Sequence, residues 1–255
     1  MYNEALRSQK KLILCEDGTN TLYSEEFSEP YHSTKDGALH ESLEKHVKPA
    51  LSLQKDKKSL TILDICFGLG YNTFATLYYV KKNNLKKKLH IISPEFDKEL
   101  IHSLATFSYP KEFDEIKNII EEVSKNLFYE DKQFKIEILL GDARDSVPKI
   151  KERVDIVYQD AFSPQHNPLL WTKEFFEDIA KISKKDTLLT SYSTSASTRL
   201  GLYENGFFIF IYYGQKTRYS TIASRKKIDT LEYIDMELKK IRNPTAKSFR
   251  DINFI

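Results

Sequence analysis

Short apolar runs alternate with amphipathic stretches along most of the chain. The runs are rich in isoleucine, leucine and valine, a composition typical of strands buried in a sheet. We predict these strands at residues 60–68, 89–96, 134–145, 154–162, 186–193, 207–214 and 217–224. Between them, apolar residues recur every three or four positions, which indicates helices. We predict these helices at residues 71–83, 97–107, about 172–183 and 195–206.

The alternation of strands and helices favours an α/β fold with a mostly parallel, doubly wound sheet. Only a short turn separates the last two predicted strands, so we expect them to pair antiparallel. A seven-stranded, mostly parallel sheet with a C-terminal antiparallel hairpin is the Rossmann-like architecture of class I S-adenosyl-L-methionine (AdoMet) methyltransferases. That likeness is an analogy of fold, which by itself does not give function. The charged segment 111–130 is expected to be helical or irregular.

The first fifty residues follow a different pattern. Residues 11–23 predict two short strands about a turn at Asp17-Gly18, a pair that favours hairpin turns. Apolar residues at four-residue spacing, ending at Val47, then predict a helix. We expect residues 1–50 to form a small extension of strands and helix that packs on the main domain. Residues 51–255 would form that main domain.

Composition and charge exclude few classes of protein. A chain of 255 residues, 40% hydrophobic, suits one large α/β domain with or without a small appendage. Lys and Arg total 39 against 37 Asp and Glu, so the net charge of +2 does not indicate a nucleic-acid-binding protein. Basic residues are nevertheless concentrated after Lys216, ten against five acidic residues, and around 86–88. Clusters of this kind are more often solvated surface.

Cysteine content and hydropathy bear on the cellular setting. The two cysteines, Cys15 and Cys66, provide neither a disulfide framework nor a metal quartet. The N-terminal residues are polar, and no apolar run approaches the roughly 20 residues that a membrane helix needs. We therefore expect a soluble, cytoplasmic protein with no membrane association and no metal.

Acidic residues follow four consecutive predicted strands. Ligands of open α/β sheets bind at the carboxyl ends of the strands, so these acids are expected to share one pocket. Each acid alone is more often a solvated loop residue, but four in succession favour a ligand site. They are Asp64, Glu95, Asp142 and Asp160.

The loop after the first strand of the main domain helps to choose the ligand. Gly68 and Gly70 let the backbone approach a ligand at a helix N-terminus. Thr73 replaces the third glycine of a dinucleotide fingerprint, and Asp64 would repel a pyrophosphate but suit the ammonium of a methionine group. Glu95 would accept hydrogen bonds from ribose hydroxyls, and an acid at position 142 would accept from the exocyclic amine of adenine. This combination favours AdoMet over NAD.

The segment 154–183 resembles the methyltransferase domain of the MnmC family. That family shows the pattern D-x-F-x-P-x-x-N-P-x-x-W, which begins here at Asp160 and ends at Trp171. Further matches lie in the same order along residues 12–223. They are 29–33, 67–72, 89–95, Gly141-Asp142, Arg199 with Gly201-Leu202, and Gly206-Phe207.

The resemblance implies a specific reaction. MnmC-type methyltransferases transfer the methyl group of AdoMet to the amine of 5-aminomethyl-2-thiouridine, or its 2-oxo relative, at the wobble position of tRNA. The product is the 5-methylaminomethyl base. Many members are fused to an FAD-dependent oxidase. This chain has no second glycine-rich fingerprint, so we expect a stand-alone form that acts on tRNA and binds no FAD.

The resemblance also implies roles for individual side chains. Asp160 would orient the amine and take its proton, and it would share the cofactor site with the other three acids. Phe162 and Trp171 would stack on an extruded base, although Trp171 packing in the core is an equal alternative. The remaining residues implied at the cofactor are Tyr31, Gly68, Gly70 and Asn72, and those implied at the tRNA are His166 and Arg218. His32 would line the entrance beside Tyr31 or be an ordinary loop histidine.

Two departures and several alternatives stay open. Fused members have a glutamate near the position of Asp64, and Thr-Phe-Thr where this chain has Ser191-Tyr192-Ser193. A small-amine methyltransferase or a polyamine aminopropyltransferase uses the same fold, although the loop 66–71 lacks the acid of the polyamine synthases. A non-catalytic RNA-binding module and a dehydrogenase are more distant alternatives.

Overall fold

The structure is a computed structural model that describes residues 10–254. Its strands are β1 (Lys10–Leu14), β2 (Asn20–Ser24), β3 (Glu29–Pro30), β4 (Ser59–Ile65), β5 (Lys88–Glu95), β6 (Phe128–Glu130), β7 (Phe134–Leu140), β8 (Val154–Gln159), β9 (Ser183–Ser191), β10 (Phe208–Tyr212), β11 (Ser220–Ser224) and β12 (Glu232–Ile234). Its α-helices are α1 (Ala38–Glu41), α2 (Lys48–Leu53), α3 (Tyr71–Lys82), α4 (Lys98–Ser103), α5 (Lys117–Asn126), α6 (Ala143–Ser146), α7 (Lys173–Ile182), α8 (Ala196–Glu204) and α9 (Met236–Arg242). A π-helix, Ser42–Val47, joins α1 to α2. Short 3₁₀ turns cover Leu104–Thr106, Lys111–Ile116, Val147–Lys149, Pro168–Trp171 and Asp251–Asn253.

A nine-stranded sheet forms the centre of the molecule, in the order β12-β10-β11-β9-β8-β4-β5-β7-β6. The five strands from β9 to β7 are parallel, because β8 and β5 flank β4 and each continues outward in parallel register. Strands β10 and β11 pair antiparallel, and β11 lies antiparallel against β9. The predicted Rossmann-like α/β fold with its C-terminal hairpin is therefore confirmed.

Two edge strands extend the predicted seven. Strand β6 pairs antiparallel with β7, and β12 pairs antiparallel with β10. Each has only three residues, which is too short for a period of two to be visible in the sequence. Strand β6 also lies within the segment that the sequence left as helical or irregular.

Strand β4 marks the point where the chain reverses its direction across the sheet. From β4 the chain moves outward through β5 to β7, and it then returns to β8 on the other side of β4. The loops after β4 and β8 therefore diverge from adjacent strand ends and leave a crevice between them. The side chains that follow these two strands face one another across it.

The N-terminal strands form a separate three-stranded antiparallel sheet, β1-β2-β3. The predicted hairpin about Asp17-Gly18 and the helix after it are confirmed, with the difference that a π turn interrupts the helix. Tyr71 Oη donates to the carbonyl of Asn20 at 2.8 Å, and Tyr71 packs edge-on against the His32 ring. These contacts seat the small sheet over the start of α3, which agrees with an extension packed on the main domain.

Gly70 is the position where the loop after β4 turns into α3. Its φ is +71°, and a Cβ there would lie 2.5 Å from the Phe74 ring and 2.9 Å from the Phe67 ring. Gly18 has a similar φ of +81° but open space around its Cβ position. The two glycines therefore separate the cost of backbone strain from the cost of overpacking.

We predict that Gly18→Ala lowers the free energy of unfolding by about 1 kcal/mol through left-handed backbone strain alone. Gly70→Ala should lower it by roughly 2–4 kcal/mol, because the methyl group also displaces two buried rings. Urea unfolding at neutral pH measures both. Equal losses in the two variants would show that Phe67 and Phe74 move aside without cost.

Candidate active site

A cavity of about 250 Å³ lies in the crevice at the carboxyl ends of β4, β5 and β8. Its walls come from the N-terminal extension as well as from the main domain. The lining residues are 29–33, Glu41, 66–68, Asn72, Glu95, Phe96, 160–163, Asn167 and Tyr192. Of the predicted site residues, the cavity brings together Tyr31, Gly68, Asn72, Glu95, Asp160 and Phe162.

Asp160 follows β8 directly and lines the cavity. Its Oδ2 accepts a 2.7 Å hydrogen bond from Asn72 Nδ2, and its Oδ1 lies 3.4 Å from His46 Nε2. Burial acts to raise the Asp160 pKa, but the charge and contact of His46, the charge of His32 and the Asn72 amide together hold that pKa below its ordinary value. Asp160 is therefore an ionised carboxylate at neutral pH.

His46 belongs to this site, although nothing in the sequence pointed to it. It lies in the π-helix with its side chain fully buried, and its Nδ1 is 2.8 Å from Thr190 Oγ1 on β9. Because a buried histidine on an apolar helix face is usually a packing residue, only its three-dimensional neighbours reveal the connection to Asp160.

The cavity is strongly acidic. Its lining includes the carboxylates of Glu29, Glu41, Glu95 and Asp160, and within the described residues that line it there is neither a lysine nor an arginine. Lys45 neutralises Glu41 from outside, at 2.7 Å between Nζ and Oε1. Burial lowers the pKa of His32 despite the charge of Asp160, so this imidazole adds no positive charge at neutral pH. The cavity suits a cationic group.

The loop after β4 brings backbone close to the cavity at Gly68. The Gly68 N–H donates to Glu95 Oε2 at 2.8 Å, and the Asp97 N–H donates to Glu95 Oε1 at 2.9 Å. Burial raises the pKa of Glu95, and these two N–H groups oppose that rise. A Cβ on Gly68, whose φ is +53°, would lie 3.1 Å from the Tyr31 ring. Glycine therefore lets Tyr31 close over the loop.

Asp64 and Gly70 are not among the residues that line the cavity. Asp64 is buried on β4, where Thr73 Oγ1 donates to its Oδ2 at 2.7 Å and its Oδ1 has no partner within residues 10–254. Burial raises the pKa of Asp64 to about 7, and the nearby charge of Asp160 adds to that rise. Thr73, which stands where a dinucleotide fingerprint has glycine, thus holds this acid.

Aromatic rings form the mouth of the cavity. Phe162 stacks on Phe27 with centroids 4.3 Å apart and meets Tyr31 edge-on at 4.8 Å. Glu29 accepts a hydrogen bond from the Ser163 N–H, which ties the N-terminal extension to the loop after β8. Phe162 is half-buried, so one part of its ring remains available to a ligand.

Trp171 does not offer a stacking surface, and that prediction is wrong for this structure. The side chain is fully buried, its indole N–H donates to the Phe162 carbonyl at 2.7 Å, and it packs edge-on against Tyr192. The core alternative therefore holds. Trp171 fixes the loop that carries Phe162, because a buried indole N–H needs an acceptor and this carbonyl supplies it.

A second cavity of about 630 Å³ adjoins the first and shares Cys66, Glu95, Phe96 and Asn167 with it. Asp142 and the exposed His166 line this second cavity rather than the first. Asp142 also caps α6 by accepting from the Arg144 N–H at 2.8 Å. The larger cavity falls within the 300–1,000 Å³ of typical small-molecule sites.

The basic residues divide into exposed and structural ones. Arg218 is exposed on the loop between β10 and β11 and lies over the Tyr219 ring. Lys87, in the centre of the basic run, is instead buried and donates to the carbonyls of Gln54, Lys55 and Lys57 at 2.6–3.0 Å. Lys87 thus binds the carbonyls that follow the end of α2, and its charge is not available to a polyanion.

Two absences apply to residues 10–254. No helix in this part of the chain is both long and apolar enough to cross a membrane. The same residues contain no group of three or more His, Cys, Asp or Glu side chains arranged to hold a metal ion.

Comparison with known proteins defines the class of protein. Residues 110–226 match the model of a family described as S-adenosyl-L-methionine-dependent methyltransferase. The crystal structure of MnmC2 from Aquifex aeolicus superposes with a TM-score of 0.83 and 33% sequence identity, covering 96% of this chain and 79% of that one. The fold is therefore that of an AdoMet-dependent methyltransferase, and this is the class of the protein. The chain belongs to the MnmC2 family of these enzymes.

Other relatives are longer than this chain. An uncharacterised protein of Methanocaldococcus jannaschii is 34% identical over 208 residues, which are 80% of this chain and 56% of that protein. The tRNA 5-methylaminomethyl-2-thiouridine biosynthesis bifunctional protein MnmC of Azoarcus sp. is 28% identical over 210 residues, 77% of this chain and 32% of that protein. This chain thus spans about half of the first relative and a third of the second.

The residues of the site fit AdoMet, the methyl donor of this family. A sulfonium and an ammonium are both cations, and the first cavity presents four carboxylates to them. The buried Oδ1 atoms of Asp64 and Asn72 have no partner within the described chain, although such acceptors are normally hydrogen-bonded. Two backbone N–H groups hold the carboxylate oxygens of Glu95 in place. Each oxygen can still accept a further hydrogen bond from a ligand hydroxyl group.

We predict that the stability of the protein depends on pH through Asp64. The unfolded chain loses the Asp64 proton near pH 4, whereas the folded chain, with a pKa of about 7, keeps it. The stabilisation is therefore complete below about pH 4 and is lost as the pH rises to 7. As the pH rises from 4 to 7, the unfolding free energy of the wild type should therefore fall relative to that of Asp64→Asn by up to about 4 kcal/mol.

Urea unfolding of wild type and Asp64→Asn between pH 4 and 8 measures that difference. The exposed Asp56→Asn is the matched control and should show no comparable trend. A stability difference between wild type and Asp64→Asn that stays constant across the range would contradict the raised pKa.

Proposed function

We propose that this protein methylates the aminomethyl nitrogen of 5-aminomethyl-(2-thio)uridine at the wobble position of tRNA. The observation that carries the proposal is the acidic cavity around Asp160, which combines a carboxylate for an ammonium with aromatic rings at the mouth. The family of the chain and the tRNA modification after which its MnmC relatives are named support the same substrate class. The product is the 5-methylaminomethyl base.

An amine acceptor explains the charge of the cavity. A primary alkylamine is protonated at neutral pH, and four lining carboxylates favour a cation in this space. An acceptor hydroxyl or an aromatic ring carbon carries no positive charge and gains nothing from such a lining. None of the described lining residues is a lysine or an arginine, so the lining itself contains no basic side chain that would repel a cationic acceptor.

Asp160 is the residue that we propose to act on the amine. A protonated amine has no lone pair, so one N–H bond must break before nitrogen attacks a methyl group. An ionised Asp160 accepts hydrogen bonds from the ammonium and takes one of its protons, so the freed lone pair is already held in position for attack. When bound, AdoMet supplies the electrophilic methyl group on a sulfonium. Asn72 holds Asp160 in place through its 2.7 Å hydrogen bond.

Aromatic side chains complete the acceptor site. Phe162 rests on Phe27 and Tyr31, so its ring is fixed before a base arrives. Stacking of a nucleobase on an aromatic ring contributes about 1–3 kcal/mol. Tyr31 packs between this ring and Gly68 of the loop after β4, and we propose that Tyr31 and Gly68 contact the methyl donor. Asp142 in the second cavity is the proposed acceptor for adenine.

The alternative acceptor is a small amine or polyamine. The acidic lining favours a cationic acceptor of either kind, so the charge alone does not separate the two. The aromatic mouth favours the nucleotide, because a polyamine has no flat face to stack on Phe162.

We predict that Asp160→Asn reduces methyl transfer at least about 100-fold, because the acceptor loses the group that orients it and takes its proton. The assay uses labelled AdoMet and tRNA that lacks the modification, followed by nucleoside analysis, with spermidine and putrescine tested in parallel. AdoMet binding, measured by calorimetry, should change far less than the rate. Label on a polyamine and none in tRNA would overturn the proposed acceptor.

Asp142→Asn is the matched control for this experiment. It removes the same charge from the end of β7, two strands beyond β4 on the other side from β8, in the cavity that we propose for adenine. We expect a higher KM for AdoMet with little change in kcat. Identical kinetic defects in the two variants would mean that Asp160 serves only in cofactor binding.

We propose that the loop between β10 and β11 contacts the tRNA backbone. Thr221 pairs with Ser191, the last residue of β9, so the start of β11 and the loop before it lie at the carboxyl edge of the sheet. His40 Nε2 contacts the Gln215 carbonyl at 2.9 Å, which joins this loop to the helix that carries Glu41 and His46. Arg218 is therefore a cation on the same side of the molecule as the cavity.

We predict that Arg218→Ala raises the KM for tRNA about 3- to 10-fold and lowers the salt dependence of binding by about one phosphate contact. Binding to tRNA should be measured between 50 and 200 mM salt, the range in which such contacts weaken. Lys151→Ala removes an exposed cation before β8, at the opposite edge of the sheet, and is the control. Equal effects of the two substitutions would argue against a tRNA site on this loop.

A further inference from the structure

His46 is a buried titratable group for which packing alone gives no account. Its ring is fully buried, yet each nitrogen is directed at a polar atom: Nδ1 lies 2.8 Å from Thr190 Oγ1 and Nε2 lies 3.4 Å from Asp160 Oδ1. Nε2 makes no regular hydrogen bond within the described residues. The Nε2 atom of His46 therefore faces the Asp160 carboxylate but lies farther from it than an ordinary hydrogen bond allows.

The backbone that carries His46 is unusual. Residues 42–47 form a π-helix, in which the Lys48 N–H donates to the Leu43 carbonyl five residues earlier. Wide turns of this kind are rare and recur at functional sites, because they shift one side chain out of the regular helical register. Here the shifted turn lies against β9 and places His46 beside the end of β8.

Ionisable and aromatic groups face His46 from several elements of the fold. Asp160 faces Nε2, Tyr158 on β8 packs edge-on at 5.6 Å, and the charges of Asp64 and His32 act on it from β4 and the N-terminal extension. Burial acts to raise the pKa of Asp160, and the charge and contact of His46 are the chief opposing influence that keeps this carboxyl acidic. Imidazole is the side chain that ordinarily exchanges protons near neutral pH.

Resting on the function proposed above, we propose that His46 is a positioning residue that holds Asp160 and receives, through that carboxylate, the proton lost by the acceptor amine. The N–H bond of the ammonium breaks and its proton passes to Asp160, while the freed lone pair forms the new N–C bond. The methyl–sulfur bond breaks and sulfur keeps its electron pair. The proton then moves from Asp160 to His46 Nε2.

The proposal requires a particular tautomer of His46. The resting imidazole carries its hydrogen on Nδ1 and donates it to Thr190 Oγ1, which leaves the Nε2 lone pair facing Asp160. Transfer of one proton gives an imidazolium that is hydrogen-bonded at both ends. The proton is released to solvent after the product leaves, so each methyl transfer yields one proton and a product that remains a cation.

The first test needs neither tRNA nor methyl transfer. Histidine-labelled protein is titrated by NMR, and the His46 signals are assigned by their loss in His46→Asn. In Asp160→Asn the His46 titration midpoint should fall by about one pH unit or more, because the carboxylate that stabilises the imidazolium is gone. His40, which contacts the Gln215 carbonyl and lies outside the cavity lining, is the internal control in the same spectra.

The second test is kinetic. We expect His46→Asn to lower kcat about 100-fold with the AdoMet dissociation constant nearly unchanged, and to abolish the loss of kcat at acidic pH that protonation of His46 causes. Thr190→Val should produce the same change in pH profile, and Thr190→Ser, which restores the hydroxyl, should recover the wild-type profile. The Thr190 pair keeps the proposal testable if His46→Asn does not fold. His102→Asn, on α4 and outside the cavity lining, should leave kcat and its pH profile intact.

The two tests separate this proposal from the proposed function. A His46 midpoint that does not respond to Asp160→Asn, or a His46→Asn enzyme with the wild-type kcat and pH profile, would overturn the role of His46. If the midpoint responds but tRNA is not methylated by the wild type, the acceptor is wrong while the Asp160–His46 pair remains.

Discussion

Strands β4 and β8 lie side by side and parallel, and the chain leaves them in opposite directions across the sheet. That one constraint brings the loop after β4 and Asp160 together at the same edge. Under the proposed function, the methyl donor and the acceptor meet at this edge because each loop serves one of them. The flanking strands add Glu95 and Asp142 on one side and Thr190 on the other, so the order of strands across the sheet becomes the order of groups across the site.

Much of this arrangement could be predicted because it follows from short-range patterns. Apolar runs located the central strands, and Glu95, Asp142 and Asp160 lie at or just after the ends of such runs. The glycines of the loop after β4 were recognisable because the backbone turns sharply into α3 there. Edge strands β6 and β12 escaped prediction because three residues do not establish a period.

The rest of the site depends on contacts between distant parts of the chain. Glu29, Glu41 and His46 belong to the N-terminal extension, and only the packing of that extension on α3 and β9 brings them to the cavity. A π turn has no characteristic spacing of apolar residues, so the sequence did not predict the orientation of His46. Trp171 is a residue of the sequence motif that was predicted to stack on a base. It lies in the core instead, where its indole N–H donates to the Phe162 carbonyl.

The contacts that close the cavity join residues far apart in the sequence. Glu29 meets Ser163 across 134 residues, and His46 meets Thr190 across 144. During synthesis from the N-terminus, the extension leaves the ribosome long before the strands that receive it, so Glu29 and His46 are made well before Ser163 and Thr190. Contacts of such long sequence separation form late in folding. The site is therefore among the last parts of the molecule to be assembled, and a nascent chain interrupted before β9 would have the Gly68 loop but no Thr190 for His46.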